Sequence, residues 1–183
     1  MLRLILLCLT AIVVAAAPAA AVENEQLLLK PPKGFKVGLE NKTDKEMKTV
    51  LLPDGQRLDS WTEKLTAETF YKMNDVAPAA YRDRLDKAFA EGCPGATFEK
   101  VKDGTENLYP MVIWTQTCPQ TKPTGKPEFT WLKAVQGRNN FYLLQMAHSV
   151  APAAKQVKKL LAFLDATKVC DTRVPGQRCK LGK

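Results

Sequence analysis

The spacing of apolar positions changes four times along this chain, and each change marks a switch from one kind of element to another. From Leu4 to Val14 the residues are apolar except for Thr10, with Arg3 the only charge before them and Ala19-Ala20-Ala21 closing the alanine-rich stretch that follows. A positive start, a short apolar core and a small-residue exit predict a secretory leader over residues 1–21, cut before Val22. The core falls well short of the roughly 20 residues a spanning helix needs, and Pro18 suits a cleavage region better than a membrane helix. Cys8 sits in mid-core behind Ile5-Leu6-Leu7, without the small residues that precede a lipid-modified cysteine.

Beyond the leader the period becomes two. Residues 30–34, Lys-Pro-Pro-Lys-Gly, form an extended lead-in, because two prolines block both helix and ladder bonding. Residues 35–40 alternate apolar and polar, as a half-buried strand does. Residues 41–44 turn the chain into a second strand over 47–52, which Pro53-Asp54-Gly55 ends. Over 60–72, Trp61, Leu65 and Met73 would suit a helical face, but three threonines and aromatic ends favour a third strand.

The period shifts to that of a helix over 79–91, where Tyr81, Leu85, Ala88 and Phe89 share a stripe and Arg82, Asp83, Asp86 and Lys87 lie away from it. Gly92 stops this helix, which places Cys93 on its exit loop. Four strands follow, over 97–102, 108–117, 129–136 and 141–150. Asp103-Gly104 and residues 137–140 are the hairpin signals, and a Pro/Thr/Lys-rich loop spans 119–127. A second helix over 152–167 carries Val157, Leu160, Leu161 and Leu164 on one face and has Pro152 in its first turn. The order β-β-β-α-β-β-β-β-α, with short turns between strands, predicts one α+β domain over 22–183: a twisted antiparallel sheet of six or seven strands with two helices packed on it. No later segment is long and apolar enough to span a bilayer, and no repeat is visible.

Export sets the reading of the cysteines. With Cys8 removed, Cys93, Cys118, Cys170 and Cys179 remain, an even number in a secreted chain. Three pairings are open, and nearness in sequence favours Cys93–Cys118 and Cys170–Cys179. On the chain-entropy model these loops contribute about 3.5 and about 2.7 kcal/mol. A zinc site is not predicted, since there is no C-x-x-C and His148 is the single histidine. Charge is just as uneven. Residues 150–183 hold eight cations (Lys155, Lys158, Lys159, Lys168, Arg173, Arg178, Lys180 and Lys183) against Asp165 and Asp171 alone. A solvated helix face and tail would explain this. The functional reading is contact with an anionic envelope surface or an acidic partner protein, through Lys155, Lys158, Lys159, Arg173, Arg178 and Lys180. Nucleic acid is a poor partner for an exported protein.

Little in the chain announces catalysis. His148 is the natural general base, and a small extracytoplasmic hydrolase built around it is the alternative function. Ser149 adjoins it, but strand neighbours point to opposite faces, and no nucleophile elbow surrounds either serine. The disulfide reading consumes the thiols that a cysteine nucleophile would need. Carboxylates are scattered, with Asp83 and Asp86 on a helix face that reads as solvated. No nucleotide-binding loop occurs, and no cofactor is predicted. Trp61, Trp114 and Trp131 suit either core packing or stacking on sugars. Asn41-Lys42-Thr43 is a glycosylation sequon only in a eukaryotic host, and the 119–127 loop would suit an inhibitor-like contact.

Residues 50–66, Val-Leu-Leu-Pro-Asp-Gly-Gln-Arg-Leu-Asp-Ser-Trp-Thr-Glu-Lys-Leu-Thr, resemble a box of small secreted proteobacterial proteins of unassigned function. In these, a strand runs through Pro-x-Gly into Trp-Thr-Glu and a threonine-bearing strand. The element order is also similar to the PsbP-like α+β sandwich. The resemblance implies an accessory or binding role, and no catalytic residue carries over from it. The predicted function is therefore a periplasmic or secreted, non-enzymatic accessory or binding protein.

Overall fold

The computed structural model describes residues 24–175, 177 and 179. The predicted leader, Arg178 and Lys180 lie outside them. The described chain is an α+β fold built on a seven-stranded antiparallel sheet. Its strands in chain order are β2 (Phe35–Lys42), β3 (Glu46–Pro53), β4 (Glu63–Tyr71), β5 (Thr97–Glu106), β6 (Tyr109–Cys118), β7 (Glu128–Gln136) and β8 (Asn140–His148), arranged β2-β3-β4-β8-β7-β6-β5. Helix α1 (Pro78–Gly92) connects β4 to β5, and α2 (Ala154–Ala166) follows β8. A two-stranded sheet of β1 (Glu25–Leu28) and β9 (Lys168–Asp171) joins the two ends of the described chain, with Glu25 opposite Asp171.

Alternation along the strands gives each face its own core. On one face Leu51, Leu65, Met111, Ile113, Val135, Tyr142, Leu144 and Met146 pack with Leu160 and Leu164 of α2 and Val169 of β9. On the other, Val112, Trp114, Leu132, Phe141 and Leu143 meet Tyr81 and Leu85 of α1. The Tyr81 ring lies 4.6 Å from that of Phe141, centroid to centroid. Both predicted disulfides are present. Cys93, which caps α1, bonds Cys118 at the end of β6, and Cys170 of β9 bonds Cys179. The first therefore pins the exit of α1 to the sheet.

Several expected boundaries move. The Asp103-Gly104 pair lies inside β5, and the hairpin turns instead at Asn107 and Leu108, both at positive φ (46° and 71°). Two consecutive residues at positive φ suit the right-handed twist of a two-residue hairpin. The third strand begins at Glu63, so Trp61 precedes it, with the Lys64 ammonium 4.1 Å from its ring centroid. The strand expected over 141–150 ends at His148, and α2 begins at Ala154. Asp86 is not free in solvent: it accepts hydrogen bonds from Trp114 Nε1 (2.9 Å) and Gln116 Nε2 (2.8 Å), tying α1 to β6. Ala88 is exposed rather than part of the packed stripe.

Candidate functional site

Helix α2 divides its residues sharply. Leu160 and Leu164 are buried against the sheet, while Lys155, Lys158 and Lys159 are exposed. The only acid on the helix, Asp165, is engaged by Lys102 at 2.6 Å. The three lysines have no carboxylate partner among the described residues, so α2 presents an uncompensated basic face. Arg173 is placed differently. Its guanidinium donates to both oxygens of Asp171, at 2.8 and 2.7 Å, and a flipped Asn139 amide adds a further acceptor. The Arg173 charge closes the β9 corner and holds the Asp171 carboxyl below its ordinary range.

The C-terminal end of α2 is anchored by a buried cation. Lys133 of β7 is fully buried and donates to Glu106 Oε2 (2.5 Å), Leu164 O (2.8 Å) and Thr167 O (2.6 Å). Its three protons thus meet three acceptors, two of them carbonyls that the helix end leaves unpaired.

A second anchor fixes β1. The Glu25 carboxylate accepts the backbone N–H groups of Arg138, Asn139 and Asn140, together with the Tyr142 hydroxyl. Gly137 opens this β7–β8 turn, and a Cβ there would lie 2.8 Å from Asn140 O and overlap the Glu25 carboxylate. The turn is an anion-binding nest filled from within the chain.

Among the described residues, the face that carries α2 holds a larger and a smaller cavity. The larger, about 490 Å³, runs between the β1 lead-in (Leu27, Leu29, Pro31) and the sheet residues Met47, Leu51 and Tyr142. The smaller, about 360 Å³, lies beneath the N-terminal half of α2. Pro32, Phe35, Met146, Leu160 and Phe163 form its apolar wall, and Glu63, His148, Gln156 and Lys159 supply its polar groups.

Antiparallel pairing of β4 with β8 sets Glu63 directly opposite His148. His148 is only 7% exposed, its Nε2 has no hydrogen-bond partner, and Glu63 Oε1 stands 3.9 Å away. The Trp131 ring meets the imidazole edge-on at 5.9 Å. Burial pulls the imidazole pKa below its ordinary value, against the opposing pull of Glu63. A histidine thus stands beside a carboxylate without a hydrogen bond between them, and the cavity lining contains no serine, threonine or cysteine. Ser149 faces a different cavity, with Trp61 and Glu128. Among the described residues, no cluster of histidine, cysteine and carboxylates is suited to hold a metal ion.

Sequence reading singled out the α2 lysines and His148 but not Glu63, Gln156 or the buried Lys133–Glu106 pair. Of the tryptophans, Trp114 is fully buried core, whereas Trp61 and Trp131 are half-buried.

Comparison with protein-family models and with curated proteins returns no match. Solved structures do match. A cyanobacterial PsbP from Synechocystis aligns at TM-score 0.48 and 10% identity, covering 84% of this chain and 94% of its own. The Saccharomyces cerevisiae Ran-binding protein Mog1p aligns at TM-score 0.43 and 10% identity, covering 72% of this chain and 75% of its own. A variant of Mog1 aligns at TM-score 0.43 and 9% identity, with 72% and 76% coverage.

Proposed function

We propose that the protein is exported, cut after Ala21, and acts as a non-enzymatic binding protein of the cell envelope that docks on an anionic lipid surface through α2. The observation that carries this reading is the uncompensated face of Lys155, Lys158 and Lys159 on a helix whose single acid is already paired. Two disulfides agree with an oxidising compartment. No helix among the described residues is long and apolar enough to cross a membrane.

Each lysine near an anionic surface contributes about 1 kcal/mol, and charges at a wet surface are screened by salt. Co-sedimentation with phosphatidylglycerol vesicles should therefore be strong at low salt and weak at high salt. It should fall roughly 100-fold in the triple variant K155Q/K158Q/K159Q. Equal binding of wild type and triple variant overturns the reading. The geometry of His148 and Glu63 favours a hydrolase as the second reading. Turnover of ester or glycoside substrates that disappears in His148→Gln would establish it instead.

A further inference from the structure

Apart from Lys159, the smaller cavity is built of residues that the surface reading leaves unused. Its walls are apolar, and its volume of about 360 Å³ lies within the range of about 300–1,000 Å³ usual for small-ligand sites. One polar atom on its lining is costly as it stands: His148 Nε2, buried and without a partner. The facing Glu63 carboxylate at 3.9 Å favours the tautomer that carries its proton on Nε2, so this atom is a donor. Gln156 spends its Oε1 on the Ala153 N–H (2.8 Å), which leaves its amide N–H groups free to donate. Lys159, a cationic residue, lines the same cavity. Three donor-bearing residues thus share the lining with one carboxylate and with the apolar side chains of Phe35, Met146, Leu160 and Phe163.

We propose that this cavity binds a single apolar chain bearing an anionic head, with the chain against the apolar wall and the head on His148 Nε2, Gln156 and Lys159. The head supplies the acceptor that the buried imidazole lacks, and each methylene that enters gains about 0.8 kcal/mol. Such a chain could come from a free fatty acid or from a membrane lysolipid; the recognising chemistry is the same.

His148 is the only histidine, so its imidazole signals in a long-range proton–nitrogen NMR spectrum of the full mature chain need no assignment. Titration with dodecanoate should shift the Nε2 signal saturably, whereas dodecanol and dodecylamine should bind at least tenfold more weakly. His148→Gln and Lys159→Gln should each weaken dodecanoate binding, measured by calorimetry, about tenfold. Leu160→Trp, which fills the cavity, should abolish it. Phe163→Trp provides the same test should the Leu160 variant fail to fold.

The double variant K155Q/K158Q should keep dodecanoate binding while losing affinity for anionic vesicles, which separates this site from the surface reading. Lysophosphatidylglycerol run beside dodecanoate identifies the source: tighter binding of either one supports the site and names its ligand. Equal affinity for dodecanoate, dodecanol and dodecylamine overturns the proposal. So does a saturable shift that persists in both tryptophan variants, or no shift with either anionic probe.

Discussion

Replacing Lys133 with methionine tests how α2 is held to the sheet. The wild-type ammonium is fully buried and donates to Glu106, Leu164 O and Thr167 O. Methionine fills much of the lysine volume but donates nothing. Glu106, whose side chain is only 6% exposed, is then a buried carboxylate without its counter-ion, a loss of about 3–5 kcal/mol. The two carbonyls would add about 1–3 kcal/mol each if they stayed dry, but a helix end can fray towards water. About 3 kcal/mol is therefore the lower bound expected from urea unfolding midpoints. Glu106→Leu alone should also destabilise, because it strands the ammonium. The double variant E106L/K133M should recover at least about 2 kcal/mol relative to the sum of the singles, since an apolar pair in place of a buried ion pair is often neutral. A loss below about 1 kcal/mol for Lys133→Met, or strict additivity in the cycle, would refute the assignment of Lys133 as the anchor of α2.

Two further outcomes follow from other buried groups. Glu25→Gln replaces a carboxylate that accepts from three backbone N–H groups and a tyrosine. It should lower stability by about 1.5–3 kcal/mol and speed hydrogen exchange selectively at Gln26 and Cys170, a hydrogen-bonded pair of the β1–β9 ladder; uniform exchange would count against a local latch. His148 has a folded-state pKa below its ordinary 6.5, so the unfolded chain takes up a proton first as the medium acidifies. The stability tied to its neutral form is complete above about pH 6.5 and is lost as pH falls through the folded value. His148→Gln should flatten the stability profile between about pH 7 and about pH 5, and an unchanged slope would show that other groups dominate.

What could be read from the sequence depended on how local its cause was. The period-two runs and the α2 stripe, Leu160 and Leu164 above all, specify their elements within a few residues, and the sheet and helices form where they fall. Neither β1 nor β9 shows a pattern, because four residues such as Glu25-Gln-Leu-Leu28 become a strand only when Lys168–Asp171 arrives from the far end of the chain. Asp103-Gly104 is a strong turn signal in isolation. Pairing with β6 overrides it, since continuing the ladder to Glu106 delivers that carboxylate to Lys133. Asp86 misled for a related reason: an acid on the polar side of a helix looks solvated until Trp114 Nε1 from another element reaches it. At the candidate site, His148 was visible as the single histidine. Glu63 became its neighbour only through the β4–β8 register, which no local pattern encodes.

The pairing of β1 with β9 has a consequence for how the chain comes into being. Glu25 cannot meet its ladder partner until residue 171 has been synthesised. Until then the β7–β8 turn keeps its nest of N–H groups without the ladder that steadies Glu25 in it, and the larger cavity lacks the secured strand that forms one wall. Closure of this corner carries the loop-closure entropy of most of the chain. The short end sheet therefore acts as a completion check: the two-stranded corner forms only after nearly all of the chain is available to fold.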